Sequence, residues 1–281
     1  MRSGVAGRAV PALSRLIAGG IMIGLSVLGA SADEPVPHPD WAGAFDAAGV
    51  TGVFVVKDAG TGELHTSDPG RAATRFSPAS TFKIANSLIA ADAGVLGSTG
   101  QVFLYDGERR DFESWNKDFT LKEALAASVV PIYQEIARSV GPERMQAGLD
   151  RLGYGNRTIG TPDAFWLDGS LRISAVEQIA FLIGLHDRTL PFAPKAQEMV
   201  LEILPETALS CGTIRAKTGW GYQSETPQIG WWIGWAEVEG KVTYFALNID
   251  VMSRDDLKAR SAVTLDLLRE HAAIPADCTL S

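Results

Sequence analysis

Three β-rich runs near the C-terminus, "GTIRAKTGWG", "QIGWWIGWAEV" and "KVTYFALNID", constrain the fold of this chain more than any other feature. The last two are separated only by Glu239-Gly240, a turn pair suited to a tight hairpin. The next comparable β-rich stretch lies far upstream, in "TGVFVVKDAGTGELHTSD", which reads as a second hairpin closed by a Gly-rich turn. Between the two regions, residues 118–187 are mostly helical in pattern, with "LKEALAASV", "PIYQEIARSV" and "SAVEQIAFLIGLH" divided by Pro and Gly breaks. A further helix is expected from Pro78 to about Ala93, with Pro78 in its first turn, Gly94 just past its end, and Phe82, Ala85, Leu88 and Ile89 as its core stripe. The run "RDDLKARSAVTLDLLREHA" closes the chain as an amphipathic helix. Strands at both ends with helices between predict an α+β fold: an antiparallel sheet flanked by helices and carrying a helical subdomain. The sheet part is expected at about 33–76 and 200–281, and the helical part at about 77–199.

The first 32 residues stand apart. Arg2, Arg8 and Arg15 precede the apolar run "LIAGGIMIGLSVLGA", and "ASA" at 30–32 offers a small-x-small cleavage site, the pattern of a secretory signal. The run is short for a membrane span, and no later segment is long and apolar enough to be one. Residues 33–281 are therefore expected to be the mature domain, secreted or periplasmic and free of the membrane. Removing residues 1–32 takes three arginines and no acids, which moves the formal charge from −8 to −11. So acidic a chain is poorly suited to nucleic acid or anionic lipid. Export permits a disulfide between the two cysteines, Cys211 and Cys278, but sequence leaves a bond and a free pair equally open. The four histidines are dispersed along the chain without ligand spacing, so no metal is expected.

Ser80 and Lys83, in "SPASTFKIANSLIA", lie one helical turn apart in an otherwise apolar segment. At a helix start, Ser80 sits where free N–H groups and the helix dipole favour developing negative charge. A serine hydroxyl needs a nearby base to become a nucleophile, and Lys83 can act as one only while uncharged. The pair is either a capping serine beside a solvated lysine or a catalytic dyad. A second Ser-x-x-Lys, Ser114 to Lys117, lies in the charged run "GERRDFESWNKDF" and reads as surface. "KTG", Lys217 to Gly219, places two anion donors on a strand edge beside a glycine that lets a backbone approach. Ser-x-x-Lys followed by Lys-Thr-Gly forms the outer parts of the penicillin-interacting serine signature, although its Ser-Asp-Asn centre is absent.

Five elements in order, "PASTFK", "SVV" at 128–130, "YGN" at 154–156, "FWLDGSLRISAVEQ" around Trp166, and "RAKTGW", resemble the class D serine β-lactamases, the oxacillinase family. The resemblance runs from about residue 74 to about residue 265. It implies that Ser80 forms an acyl-enzyme with a β-lactam carbonyl. It also implies that Lys83 carries a carbamate made from CO2 or bicarbonate, with no other cofactor, that serves as general base. Trp166 would hydrogen-bond that carbamate through its indole N–H, though by itself it reads better as a core aromatic. Phe82, Val129, Val130 and Leu167 would form the dry wall that keeps the amine neutral. Ser128, beside Lys217, would relay a proton to the leaving nitrogen. Lys217, Thr218, Gly219 and Arg260 would bind the substrate, with the carboxylate on Lys217, Thr218 and Arg260. Arg260 rests on the looser match "LKARSAV" and reads also as a solvated helix residue. The N–H groups of Ser80 and Trp220 would form the oxyanion hole.

The expected partners are small-molecule β-lactams. A β-lactam sensor would need membrane spans and a cytoplasmic partner, and neither is visible in the sequence. A penicillin-binding peptidase usually has Ser-x-Asn at its centre, matched here only by "SWN" at 114–116. A carbohydrate binder with an aromatic strip would use "WWIGW", whose period-2 alternation fits core and edge packing instead. Substrate spectrum and oligomeric state are not encoded legibly; the spectrum depends on the loops near 105–118 and 220–228.

Overall fold

A computed structural model describes residues 35–221 and 227–280, together with Met1 and Gly4. The expected signal segment and part of the 220–228 loop lie outside the described residues. In chain order the elements are β1 (Val36–Pro37), α1 (Ala42–Ala48), β2 (Gly52–Asp58), β3 (Leu64–Thr66), α2 (Pro69–Ala73), α3 (Phe82–Asp92), β4 (Val102–Phe103), β5 (Phe119–Thr120) and α4 (Leu121–Ala126). There follow α5 (Val130–Val140), α6 (Pro142–Leu152), α7 (Ala175–His186), α8 (Pro194–Ile203), β6 (Glu206–Leu209), β7 (Gly212–Gly221), β8 (Gln228–Val238), β9 (Lys241–Val251) and α9 (Ala259–Glu270).

Both hairpins form where the sequence puts them. β2 pairs antiparallel with β3, and β8 with β9 around Glu239 and Gly240, whose φ values of 51° and 76° give the left-handed turn that matches strand twist. The seven-stranded sheet runs β1-β3-β2-β9-β8-β7-β6, so β9 lies against β2 and joins the two ends of the chain. One detail differs from the expected antiparallel sheet: β1 pairs parallel with β3, Val36 opposite His65. β1 is too short to carry its own hairpin and simply lies along an edge. β4 and β5 form a separate two-stranded ribbon among the helices.

Alternation along the central strands divides the core in two. Trp231, Ile233 and Trp235 join the helical side with Val53, Val55 and Ala246. Trp232, Ala236 and Val238 join the other side with Phe54, Phe245 and Leu268. The tryptophans of "WWIGW" are thus core packing, each buried. Replacing Trp231 by alanine would cost ~3–5 kcal/mol by the usual large-to-small penalty. A disulfide joins Cys211 to Cys278 across a separation of 67 residues and ties the β6–β7 turn to the C-terminal end. Closing a loop of that length is worth ~4 kcal/mol in chain-entropy terms.

The helix α3 departs from the sequence reading. The stripe Phe82, Ala85, Leu88 and Ile89 predicts a half-buried helix, yet every residue from Phe82 to Ala90 is buried, Lys83, Asn86 and Ser87 included. The helices α5, α6 and α8 enclose it. A hydrophobicity stripe finds one apolar face; it cannot report that the polar face is also covered.

Candidate active site

The segment entering α3 is held in an unusual conformation. Ala79 has φ +48°, a left-handed backbone that alanine adopts only when its surroundings impose it. Three bonds impose it: Ala79 N to Trp166 O at 3.1 Å, Ser77 Oγ to Trp166 O at 2.8 Å, and Trp231 Nε1 to Ser77 O at 2.8 Å. A single 3-10 turn, Ala79–Thr81, then leads Ser80 into the helix start, where backbone N–H groups lack intrahelical acceptors. Thr81 Oγ1 donates to Pro78 O at 2.7 Å and accepts from Gln178 Nε2 at 2.9 Å.

Lys83 is fully buried and its Nζ lies 2.8 Å from Ser80 Oγ. The Tyr133 ring faces Nζ with its centroid 5.4 Å away. Burial, and secondarily the charge of Lys217, hold the amine well below the ordinary lysine range and so favour its uncharged form. Trp166 is fully buried and stacks on Phe82, the residue preceding Lys83, at 5.5 Å. Its Nε1 has no hydrogen-bond partner among the described residues, an expensive state for a buried donor. The loop that carries Trp166 is clamped by Asn156, which donates to Ser170 O at 2.7 Å and accepts from Arg172 N at 2.9 Å. The "YGN" element thus acts on the site through this loop.

A second serine–lysine pair faces the first. Ser128, at φ +56°, occupies the turn between α4 and α5, and its Oγ accepts a hydrogen bond from Lys217 Nζ. Lys217 Nζ also donates to Thr218 O at 2.9 Å. Burial, then the Arg260 charge, lower the Lys217 pKa to about 7. Arg260 is not a solvated helix residue. Its Nη1 donates to Gly219 O at 2.9 Å, its Nε donates to Leu257 O at 3.0 Å, and burial lowers its pKa to about 10. No described carboxylate forms an ion pair with Lys83, Lys217 or Arg260, so the site is a natural receptor for an anion.

Gly219 serves the architecture in a way the sequence reading did not foresee. A Cβ there would meet Pro78 O at 3.0 Å, Thr81 Cγ2 at 3.1 Å and Trp231 Cβ at 3.1 Å. The glycine lets the turn bearing Ser80 close onto β7.

These residues surround a cavity of about 230 Å³, into which Ser80, Ser128, Thr218, Gly219, Trp220 and Arg260 all reach. Val130 lines it, and Phe82, Val129, Trp166 and Leu167 belong to one apolar cluster. The opposite wall is Phe112, Ser114 and Trp115, from the 105–118 loop expected to bear on substrate spectrum, with Leu257, which the sequence did not point to. Ser114 is exposed, as its charged run implied, yet it edges the cavity. A further sequence hint was the density of aromatics in "DFESWNKDF". Trp115 is fixed by donating its indole N–H to Ala127 O at 3.0 Å, next to Ser128.

The histidines also depart from their sequence reading. His38, His65 and His271, remote in sequence, gather at one edge of the sheet: His38 Nε2 lies 3.0 Å from His65 Nδ1, and the His65 and His271 rings are 4.7 Å apart. No group of three or more potential ligands among the described residues has metal-holding geometry. No described helix is long and apolar enough to cross a membrane.

The penicillin-binding protein transpeptidase domain family matches residues 52–269. The β-lactamase OXA-48 of Klebsiella pneumoniae is 42% identical over 253 residues, covering 89% of this chain and 95% of that protein. The β-lactamase OXA-10 of Pseudomonas aeruginosa is 39% identical, covering 84% and 90%. Among solved structures, the class D β-lactamase FUS-1 (OXA-85) of Fusobacterium nucleatum subsp. polymorphum superposes with a TM-score of 0.80 at 36% identity, covering 85% of this chain and 99% of that one. The class D β-lactamase YbXI from Nostoc gives 0.79 at 38% identity, covering 83% and 98%. The transpeptidase model alone spans peptidases and lactamases; the near full-length relatives at this identity decide between them, and the chain belongs to the class D serine β-lactamases, hydrolases that open the β-lactam ring and confer resistance to it.

Proposed function

We propose that this enzyme opens β-lactams through an acyl-enzyme on Ser80, with the Lys83 side chain as the base that serves both halves of the reaction. The observation that carries the proposal is the fully buried Lys83 amine 2.8 Å from Ser80 Oγ, in surroundings that disfavour its charged form. The unpartnered indole N–H of Trp166 supports the family's CO2-derived carbamate on Lys83, because a buried neutral amine is what CO2 reacts with and a spare donor is what the resulting anion needs. Lys83 would bear that group and Trp166 would hold it, and when present it would supply a carboxylate as general base. No metal takes part in this scheme.

In acylation the Ser80 proton passes to the Lys83 side chain while Oγ bonds to the lactam carbonyl carbon. Backbone N–H groups of Ser80 and Trp220 receive the negative charge that develops on the carbonyl oxygen, each worth typically ~3 kcal/mol. The ring C–N bond breaks, and Ser128 gives its proton to the departing nitrogen. Lys217, with a pKa of about 7, is poised to replace that proton. Thr218, Lys217 and Arg260 hold the substrate carboxylate throughout. In deacylation a water molecule gives its proton to the same Lys83 side chain, its oxygen bonds to the acyl carbon, and Ser80 leaves and recovers a proton. The balance is one amide and one water consumed, one acid and one amine formed.

Export follows the same reading: residues 1–32 act as a cleaved signal and residues 33–281 work as one periplasmic domain on small-molecule β-lactams, independent of nucleic acid. Intact-mass spectrometry after incubation with penicillin tests the nucleophile. Ser80→Ala abolishes the penicilloyl adduct; an adduct that persists on the variant, for instance at Ser114, refutes the assignment.

A further inference from the structure

Arg254 has no place in the scheme above, yet its guanidinium lies over two rings of the active-site cavity. Its Cζ is 5.5 Å from the Phe112 ring centroid and 5.4 Å from that of Trp220, both within cation–π range. Phe112 and Trp220 line the same cavity as Ser80, so Arg254 bridges one wall of the cleft to the other.

The charge is also uncompensated. Asp255, its neighbour, pairs with Lys258 at 2.7 Å. Asp256 is consumed as a cap, accepting from Met252 N, Ser253 N and Ser253 Oγ. That cap fixes the turn Arg254–Lys258 and so the place from which the arginine projects. No ion pair to a described carboxylate neutralises Arg254, and its residue is exposed. A cation held against two aromatic faces of a cavity containing the nucleophile, and unpaired among the described residues, is set to meet the charge of whatever enters.

The direction of that charge reading follows from substrate chemistry. In a bicyclic β-lactam the ring carboxylate and the acylamino side chain leave the four-membered ring on opposite sides of the carbonyl. With the carboxylate on Arg260 and Lys217, the side chain would extend along the part of the same cavity lined by Trp220 and Phe112. We propose that Arg254 is a specificity-determining residue that favours β-lactams whose acyl side chain carries a negative charge. This inference rests on the substrate orientation given under the proposed function.

Benzylpenicillin and its α-carboxy derivative, which differ by one side-chain carboxylate, are the pair to measure. Arg254→Ala should lower kcat/KM for the carboxy derivative roughly fivefold more than for benzylpenicillin, the size expected of a partly exposed charge contact. Arg254→Lys should keep most of the discrimination and Arg254→Glu should reverse it. The wild-type preference should shrink as salt rises. Equal losses on both substrates, or an unchanged ratio across all three variants, overturn the proposal and leave Arg254 a packing residue. Arg260→Ala separates this inference from the orientation on which it rests. It should weaken both substrates alike, because both carry the ring carboxylate. If Arg260→Ala instead changes the ratio, the orientation is wrong; if it does not, and Arg254→Ala leaves the ratio flat, only the role of Arg254 fails.

Discussion

Two buried lysines face each other across the cleft, each bonded to a serine hydroxyl, and their surroundings give them different work. Lys83 sits inside α3 with the Tyr133 ring over its amine and the bare indole N–H of Trp166 nearby in the same apolar cluster. Lys217 sits on β7, donates to a backbone carbonyl, and lies beside Arg260. Desolvation lowers both pKa values, and the Lys217 value of about 7 leaves it half-charged at neutral pH. In the proposed mechanism the same dyad would yield a base in one place and a proton donor and carboxylate ligand in the other. Burial sets how far the amine is neutralised, and the polar atoms around it set what it then does.

The comparison breaks most visibly if each lysine's serine system is disabled in turn. Lys83→Ala removes the base from both acylation and deacylation, each worth ~10²–10⁴-fold. Turnover should stop while a slowly formed penicilloyl adduct accumulates on Ser80, readable by intact mass. Ser128→Ala acts on ring opening alone, so it should slow acylation within that same range and leave deacylation untouched, as rapid-quench kinetics would register. If Ser128→Ala stalls deacylation as well, the two dyads are not separate devices.

A smaller effect sharpens the contrast through pH. Lys217 has its folded pKa depressed from 10.5 to about 7. Below pH 7 it is charged and helps bind the substrate carboxylate; above it that charge is lost, while Arg260, near 10, keeps its own. kcat/KM for penicillins should therefore fall through an alkaline limb near pH 7 by roughly tenfold, without a matching limb in kcat, because a bound carboxylate restores the proton. Stability carries the opposite sign. Between 10.5 and about 7 the unfolded chain binds a proton that the folded chain excludes, so the Lys217 contribution is lost as pH falls across that window. An alkaline limb in kcat alone would assign the titration to another group.

The sheet was legible because period-2 alternation and the Glu239-Gly240 turn are local signals, and β8 and β9 obey them. The reactive pair was legible because Ser80 and Lys83 are one helical turn apart and Lys217 stands in a recognisable tripeptide. What escaped notice depends on contacts between remote segments. The complete burial of α3 comes from α5, α6 and α8 closing over its polar face, and the strain at Ala79 comes from Trp166 and Trp231. Phe112, Trp115 and Leu257 reach the cavity from loops without periodicity. Cys211 and Cys278 meet only because the C-terminal end returns to the β6–β7 turn, and three histidines converge at the sheet edge for the same kind of reason. Gly219 lines the cavity and in addition makes room for the Ser80 turn, a role set by its contacts with Pro78, Thr81 and Trp231.

In the proposed mechanism the apolar shell keeps Lys83 neutral so that it captures CO2. Carbon-13 NMR with labelled bicarbonate reads this directly. Wild-type protein at neutral pH should show a carbamate resonance that is absent from Lys83→Ala, is lost in mildly acidic degassed buffer together with activity, and returns with both when bicarbonate is restored. Trp166→Phe, which deletes the spare indole donor and keeps an aromatic wall, should weaken the resonance and make turnover depend more steeply on added bicarbonate. If wild-type protein shows no carbamate resonance and bicarbonate changes turnover in neither protein, Lys83 works as a plain amine and the account of this site is wrong.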